Sequence, residues 1–370
     1  MKRILKIAFC IICLFSLFII NCGAVESNID QYKEEFDYGA IVDALDDETI
    51  EILEDIGISE ISYESIFSVQ PGKIFEALFN IAAKSSEAPL KFLFLSTGVL
   101  ILTTFLTSFM KSGETVSLVG SAILSLSIAV PFANLLTTSF SVLEALGFFV
   151  TGFSGVFCAV VSSAGHITAS ISHASLAVFS NNLFSQILSE ISQPMVDSIC
   201  ALGFLSCFDM FNFTRRFSET VKKIYVFILS FIGTVFSGIV TLKGVLAEGA
   251  DNLTSRSIRF VVGRSLPVVG GTVSETYSTL ISSLHLIKNT VGAFGIITVI
   301  VIVMPTVLSL IMWLLSLEIT ISVSETFSEA GISGMLNVFK DVLVLLLATI
   351  AILTTILVVS VGVVIAVRGK

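Results

Sequence analysis

Residues 342–367 read VLVLLLATIAILTTILVVSVGVVIAV, a run of 26 without a charged side chain, of which 18 are Leu, Ile or Val. At roughly −0.3 to −0.6 kcal/mol for each such residue near a helix centre, membrane insertion is favoured by on the order of −5 to −10 kcal/mol. About 20 apolar residues in a helix cover the hydrocarbon core. Further runs follow when the rest of the chain is cut at its charges. Residues 92–110, between Lys91 and Lys111, hold 19 uncharged positions. Residues 115–143 hold a second span, bent or ended near Pro131. Residues 145–189 carry no formal charge over 45 positions, room for two spans with a turn near Ser162-Ser163-Ala164-Gly165-His166. Residues 195–213 contain Asp197 and Asp209 near their ends, where the cost of about 2.5–3.5 kcal/mol for a central charge falls. Residues 224–242 span easily, and so do 293–317, with Pro305 a kink.

Composition agrees. The chain of 370 residues is 54% hydrophobic and 13% charged, with mean hydropathy +0.97, against about 25% charged in a soluble domain. The expected fold is all-α: a polytopic integral membrane protein with about 7–9 transmembrane helices. Its net charge of −9 is unevenly placed, because residues 26–90 hold 16 of the 29 acidic side chains and, as bases, only Lys33, Lys73 and Lys84. No dense basic patch exists, which argues against nucleic acid as a partner.

The N-terminus resembles an export signal. Lys2, Arg3 and Lys6 precede an apolar stretch at 7–20, and Cys22-Gly23-Ala24 supplies small residues for cleavage after Ala24. An uncleaved anchor and a lipoprotein acylated at Cys22 are the other readings. The expected division is a signal peptide at 1–24, an acidic amphipathic helical segment at 25–90 outside the cytoplasm, and a polytopic domain at 91–370. Within the segment, Ile50, Leu53 and Ile56 form a stripe closed by Gly57; Ile74, Leu78 and Ile81 form another after Pro71-Gly72, with Phe75 and Phe79 beside it. Solvated helices packed on the membrane surface explain this pattern, and so does a docking element for a basic partner.

Basic residues set the orientation. After Lys111 none occurs until Arg215, where Arg215, Arg216, Lys222 and Lys223 cluster, so that loop belongs in the cytoplasm. Counting spans onward puts Arg368 and Lys370 outside, against the rule, unless 253–290 also crosses or one of the earlier runs does not span. In that segment Arg256, Arg259 and Arg264 are followed by Pro267-Val268-Val269-Gly270-Gly271. Pro and paired Gly at membrane depth free backbone groups that only protein or a water-filled cavity satisfies; an interfacial helix and turn is the other reading. Arg259, Arg264, Pro267, Gly270 and Gly271 are thus candidate functional positions. Asp197, Asp209 and Glu318 are candidate polar residues at membrane depth, along with Glu325, although Asp209 can also pair with Arg215. Ser230, Thr234 and Gly238 recur every fourth residue, a pattern read as internal packing, with a dimer seam as the alternative.

No phosphate loop, HExxH or nucleophile elbow occurs, so neither catalysis nor a cofactor is expected. His166 and His173 lack a third ligand at metal-binding spacing. Cys10, Cys13 and Cys22 lie in the signal; Cys200 and Cys207 would stand about 10 Å apart along a helix, too far for a disulfide.

Residues Arg259 through Gly271, continuing into Ser282-Ser283-Leu284-His285-Leu286-Ile287-Lys288-Asn289-Thr290-Val291-Gly292, together with Ser333-Gly334-Met335-Leu336-Asn337-Val338-Phe339-Lys340-Asp341 before the last span, resemble the stage III sporulation protein AE family. The order of signal, acidic segment and polytopic body is similar as well. The resemblance implies a mother-cell membrane protein facing the engulfed forespore. It implies partners from the same operon, namely ring-forming subunits and a secretion-type ATPase, and indirectly a forespore membrane protein. The implied function is the membrane subunit of a secretion-like channel required for spore formation; an independent small-solute permease is the alternative, against which the lack of a clear internal repeat counts.

Overall fold

The computed structural model describes residues 39–67, 69–109, 113–163, 170–171, 174, 191–205, 216–236, 238–239, 242, 270–327 and 330–366. The signal, Asp209 and Arg215, the three arginines up to Arg264, and Pro267 lie outside them. Among the described residues the regular structure is helical: α1 (Gly39–Val42), α2 (Asp47–Asp55), α3 (Tyr63–Phe67), α4 (Pro71–Phe109), α5 (Gly113–Ser163), α6 (Gln193–Leu205), α7 (216–236), α8 (Gly270–Thr326) and α9 (Ala330–Ala366).

Local chemistry sets the ends of the short helices. Asp46 caps α2, its carboxylate accepting from the Thr49 amide at 3.2 Å. At the other end Gly57 takes φ +97°, its amide reaching Glu54 O at 2.9 Å while Ile58 N reaches back to Leu53 O at 2.8 Å. These are the paired bonds of a Schellman motif, and the two residues whose side chains such a motif pairs, Leu53 and Ile58, are both buried. Of the stripe Ile50, Leu53 and Ile56, the last two are buried and Ile50 is half-buried, while Ile52 joins the buried pair. Ser62 caps α3 through the Ser65 amide.

Helix α4 runs unbroken through residue 90, where the sequence alone suggests a division between acidic segment and membrane. Ile74, Leu78 and Ile81 are half-buried, while Phe75 and Phe79 face outward. Helix α5 likewise continues through Pro131 for 51 residues, about 76 Å at 1.5 Å per residue. The expected bend or end at Pro131 is therefore not a helix end, and residues 145–163 extend the same helix past an exposed Glu144. A proline removes one helical bond, which neighbouring groups in a packed membrane helix can replace. Helix α8 passes through Pro305 in the same way.

Helices α8 and α9 form the centre. Gly292 meets Ile365 near one end and Glu318 meets Lys340 nearer the other, so the two run antiparallel. Helix α4 lies parallel to α8, joined by Ser96 and Thr320 and by Phe92 and Trp313. Helix α5 returns against both, with Phe132 on Phe339 and Gly120 on Thr103. On α5, Phe149, Phe153 and Phe157 stack at centroid spacings of 5.4 and 5.0 Å. Gly292 and Gly295 of α8 sit against this ladder, and a Cβ at Gly295 would fall 2.3 Å from the Phe153 ring tip. Here the missing side chain is what permits close approach.

Four described helical stretches are long and apolar enough to cross a membrane: Pro71–Phe109, Thr115–Ser163, Leu284–Thr326 and Ile332–Gly362. The first two are 22% and 28% buried in their most apolar windows and the last two 56% each, which separates a peripheral pair from a central one.

The reading of Ser230, Thr234 and Gly238 as internal packing is overturned. All three are exposed, with nothing within 4 Å of a Cβ at Gly238. Helix α7 instead buries Tyr225, Leu229 and Phe236 and sets Gly233 against Ile352.

Candidate functional site: a charged layer across the bundle

Successive helical residues point about 100° apart, so a Lys-Asp pair reaches two neighbours from one helix. On α9, Lys340 turns to Glu318 of α8 at 3.1 Å, and Asp341 turns to Lys222 of α7. All four side chains are half-buried. Unpaired, each would cost about 2.5–3.5 kcal/mol at the bilayer centre; paired across three helices, they offset one another and fix the helices in register. Glu318 Oε2 is buried and aligned with no hydrogen-bond donor, so its contact with Lys340 is ionic without a directed bond.

The residues flanking Glu318 place α4 at the same height. Ser316 donates to the Pro89 carbonyl at 2.8 Å, and Ser96 and Thr320 share a bond of 3.1 Å. Pro89 is flanked on the outside by the exposed pair Glu87 and Lys91, bonded at 2.5 Å. The charged residues of α4, α7, α8 and α9 thus form one layer across the bundle.

One turn beyond Lys222, buried Tyr225 donates to Ser192 at 2.9 Å and meets Thr349 at 2.6 Å. The Thr349 hydroxyl has one proton to direct, either at Tyr225 or at the Leu345 carbonyl 2.9 Å away. This knot ties the residues before α6 to α7 and α9. On the other side of the layer a shallow open groove of about 360 Å³ is lined by Glu318, Ile319, Ser322, Val323 and Thr326.

The sequence candidates distribute unevenly over this arrangement. Glu318 belongs to the layer. Asp197 is exposed on α6, and Glu325 is exposed one turn past the groove's centre. Gly270 and Gly271 form the first residues of α8, so at these two positions the expected break is helical backbone; Arg259, Arg264, Pro267 and Asp209 lie outside the described residues. Sequence position alone does not bring Lys222, Lys340 and Asp341 together. Their signal is the Lys340-Asp341 pair immediately before an uncharged run, with Glu318 immediately after another. No group of three or more His, Cys, Asp or Glu side chains positioned for a metal occurs among the described residues.

A family model described as stage III sporulation protein AE matches residues 51–368. A curated protein of that name from Bacillus subtilis (strain 168) is 22% identical over 206 residues, covering 56% of this chain and 51% of the relative. The chain thus spans about half the length of the curated relative it matches. No solved structure matches.

Proposed function

The chain belongs to the stage III sporulation protein AE family, and from that membership we propose that it is an integral membrane subunit of a secretion-like channel between mother cell and forespore. The observation that carries this reading is the family match over 51–368, which takes in the four long apolar helices found among the described residues. In this reading the chain crosses the mother-cell membrane around the forespore about seven to nine times, with its signal removed after Ala24. Residues 25–90 lie outside the cytoplasm. Helix α7 runs with α9, pairing Lys222 with Asp341 and Gly233 with Ile352, and opposite to α4. An extracytoplasmic start for α4 then sets α7 running outward, but Lys222 near its start shares the layer of Glu87 and Lys91, so this packing does not carry the cytoplasmic placement of the basic cluster, which rests on positive-inside orientation alone. The same geometry leaves the end of α9 on the extracytoplasmic side, against the preference of Arg368 and Lys370.

The charged layer holds α7, α8 and α9 in register. The start of α8, with Arg259, Arg264 and Pro267 before it and Gly270-Gly271 within it, faces a cavity or another subunit. The partners are ring-forming subunits and a secretion-type ATPase of the same operon.

Purification of the full-length chain from sporulating cells tests this reading. The channel subunit brings ring and ATPase partners with it. A chain that comes alone and moves a solute in vesicles is a permease, and the channel reading fails.

A further inference from the structure

We propose that the acidic cap formed by residues 39–90 docks a basic, apolar-anchored segment of a different protein, with Phe75 and Phe79 as the anchors. The proposal rests on the reading of this chain as one subunit of a larger assembly. One turn apart on α4, the two rings share a face and are 72% and 74% exposed. Their exposure is specific to that face: Ile74, Leu78 and Ile81 turn partly inward and Ala77 is buried. Lys73, Glu76, Asn80 and Lys84 are exposed on the same turns, so polar groups rim the two rings. A pair of aromatic rings rimmed by polar groups is the composition of an interaction surface.

Charge selects the occupant. All eleven acidic residues between 39 and 90 are exposed, against Lys73 and Lys84. A second copy would bring the same acidic surface and be repelled. Anionic lipid headgroups attract basic segments, not acidic ones. The chain's own residues 25–38 carry Glu26, Asp30, Glu34, Glu35 and Asp37 against Lys33, again like charge. A segment rich in Lys and Arg, with an apolar residue to cover the rings, complements both features.

The test places a photo-reactive benzoylphenylalanine at Phe79 in the full-length chain in sporulating cells, with the same group at exposed Phe105 as the membrane-facing reference. The expected adduct at Phe79 joins another protein, at a peptide in which Lys and Arg outnumber Asp and Glu. Changing Asp47, Glu48, Glu51 and Glu54 to their amides lowers its yield about tenfold, the scale of lost electrostatic steering, while abundance and the Phe105 adduct stay constant. If that variant does not accumulate, salt near 1 M, where the screening length is about 3 Å, replaces it on wild-type membranes with the same expected loss. Adducts to lipid, to a second copy or to residues 25–38, an absent adduct, or a yield indifferent to charge each overturn the proposal. A basic partner with no part in sporulation keeps the docking surface and overturns the channel reading; a silent Phe79 in a chain that still purifies with the ring subunits does the reverse.

Discussion

Replacing Gly295 by Ala probes the tightest contact in the bundle. The added Cβ would lie 2.3, 2.5 and 3.0 Å from three atoms of the Phe153 ring, where carbon atoms settle at about 3.5–4.0 Å. The ring must retreat by more than about 1 Å. It has little freedom to do so, because Phe149 and Phe157 stack on it at 5.4 and 5.0 Å. Overpacking of this kind costs about 1–3 kcal/mol, and disturbing the stacked pairs adds about 0.5–1.5 kcal/mol for each pair lost. A destabilisation of about 2–4 kcal/mol follows. The assay is the thermal midpoint of the detergent-solubilised chain, with membrane abundance alongside. Phe153→Leu removes the ring tip, so combining it with Gly295→Ala should recover at least half of the loss, a coupling that a double-mutant cycle measures directly. Gly362→Ala, with nothing within 4 Å of its Cβ, serves as the neutral control. If Gly295→Ala melts with the wild type and Phe153→Leu behaves additively with it, α5 and α8 do not meet through these residues.

The charged layer makes its own demands. Lys340→Gln should cost about 1 kcal/mol after discount for partial exposure, and the exchange Glu318→Lys with Lys340→Glu should restore the midpoint; an exchange as poor as either single change would argue against the pair. Tyr225→Phe should cost about 0.5–1.5 kcal/mol, read as a lower midpoint with unchanged abundance, and an unshifted midpoint would count against the buried hydroxyl knot. For orientation, cysteines at exposed Ser59 and Thr220 should label oppositely with an impermeant reagent in intact cells lacking the native cysteines, Ser59 labelling and Thr220 not; Ser218 is unsuitable, being 3% exposed. Gly270→Val and Gly271→Val should block spore formation at normal membrane abundance, and normal sporulation would leave the start of α8 without a functional role.

What the sequence made legible was whatever depends on hydrophobic run length and local caps. The membrane class follows from runs such as 342–367, and Gly57 was readable as a helix stop because a stripe of Ile and Leu ends there. Helix continuity was not readable at Pro131 or Glu144, since proline and a lone charge are ordinary end signals whose cost packing partners absorb only in three dimensions. The same limit hid the layer: Glu318, Lys222 and Asp341 are far apart in the chain, and only the pairing of α7, α8 and α9 makes them neighbours. Small residues at fourth positions announce a close approach without naming the partner, and the structure assigns that role to Gly233, Gly292 and Gly295, leaving Ser230, Thr234 and Gly238 exposed.

The difference in burial between the peripheral and central helices has a consequence for biogenesis. Ribosomes deliver α4 and α5 first, yet most of the surface that packs them belongs to α8 and α9, which emerge last. Until then the early helices must reside in lipid by their own hydropathy, 1.9 and 2.0 in their best windows, while the most apolar segment, at 3.0, arrives at the end to close the bundle. A chain truncated before α8 would therefore insert without reaching its packed state, and quality control would meet it as a loose, degradable hairpin.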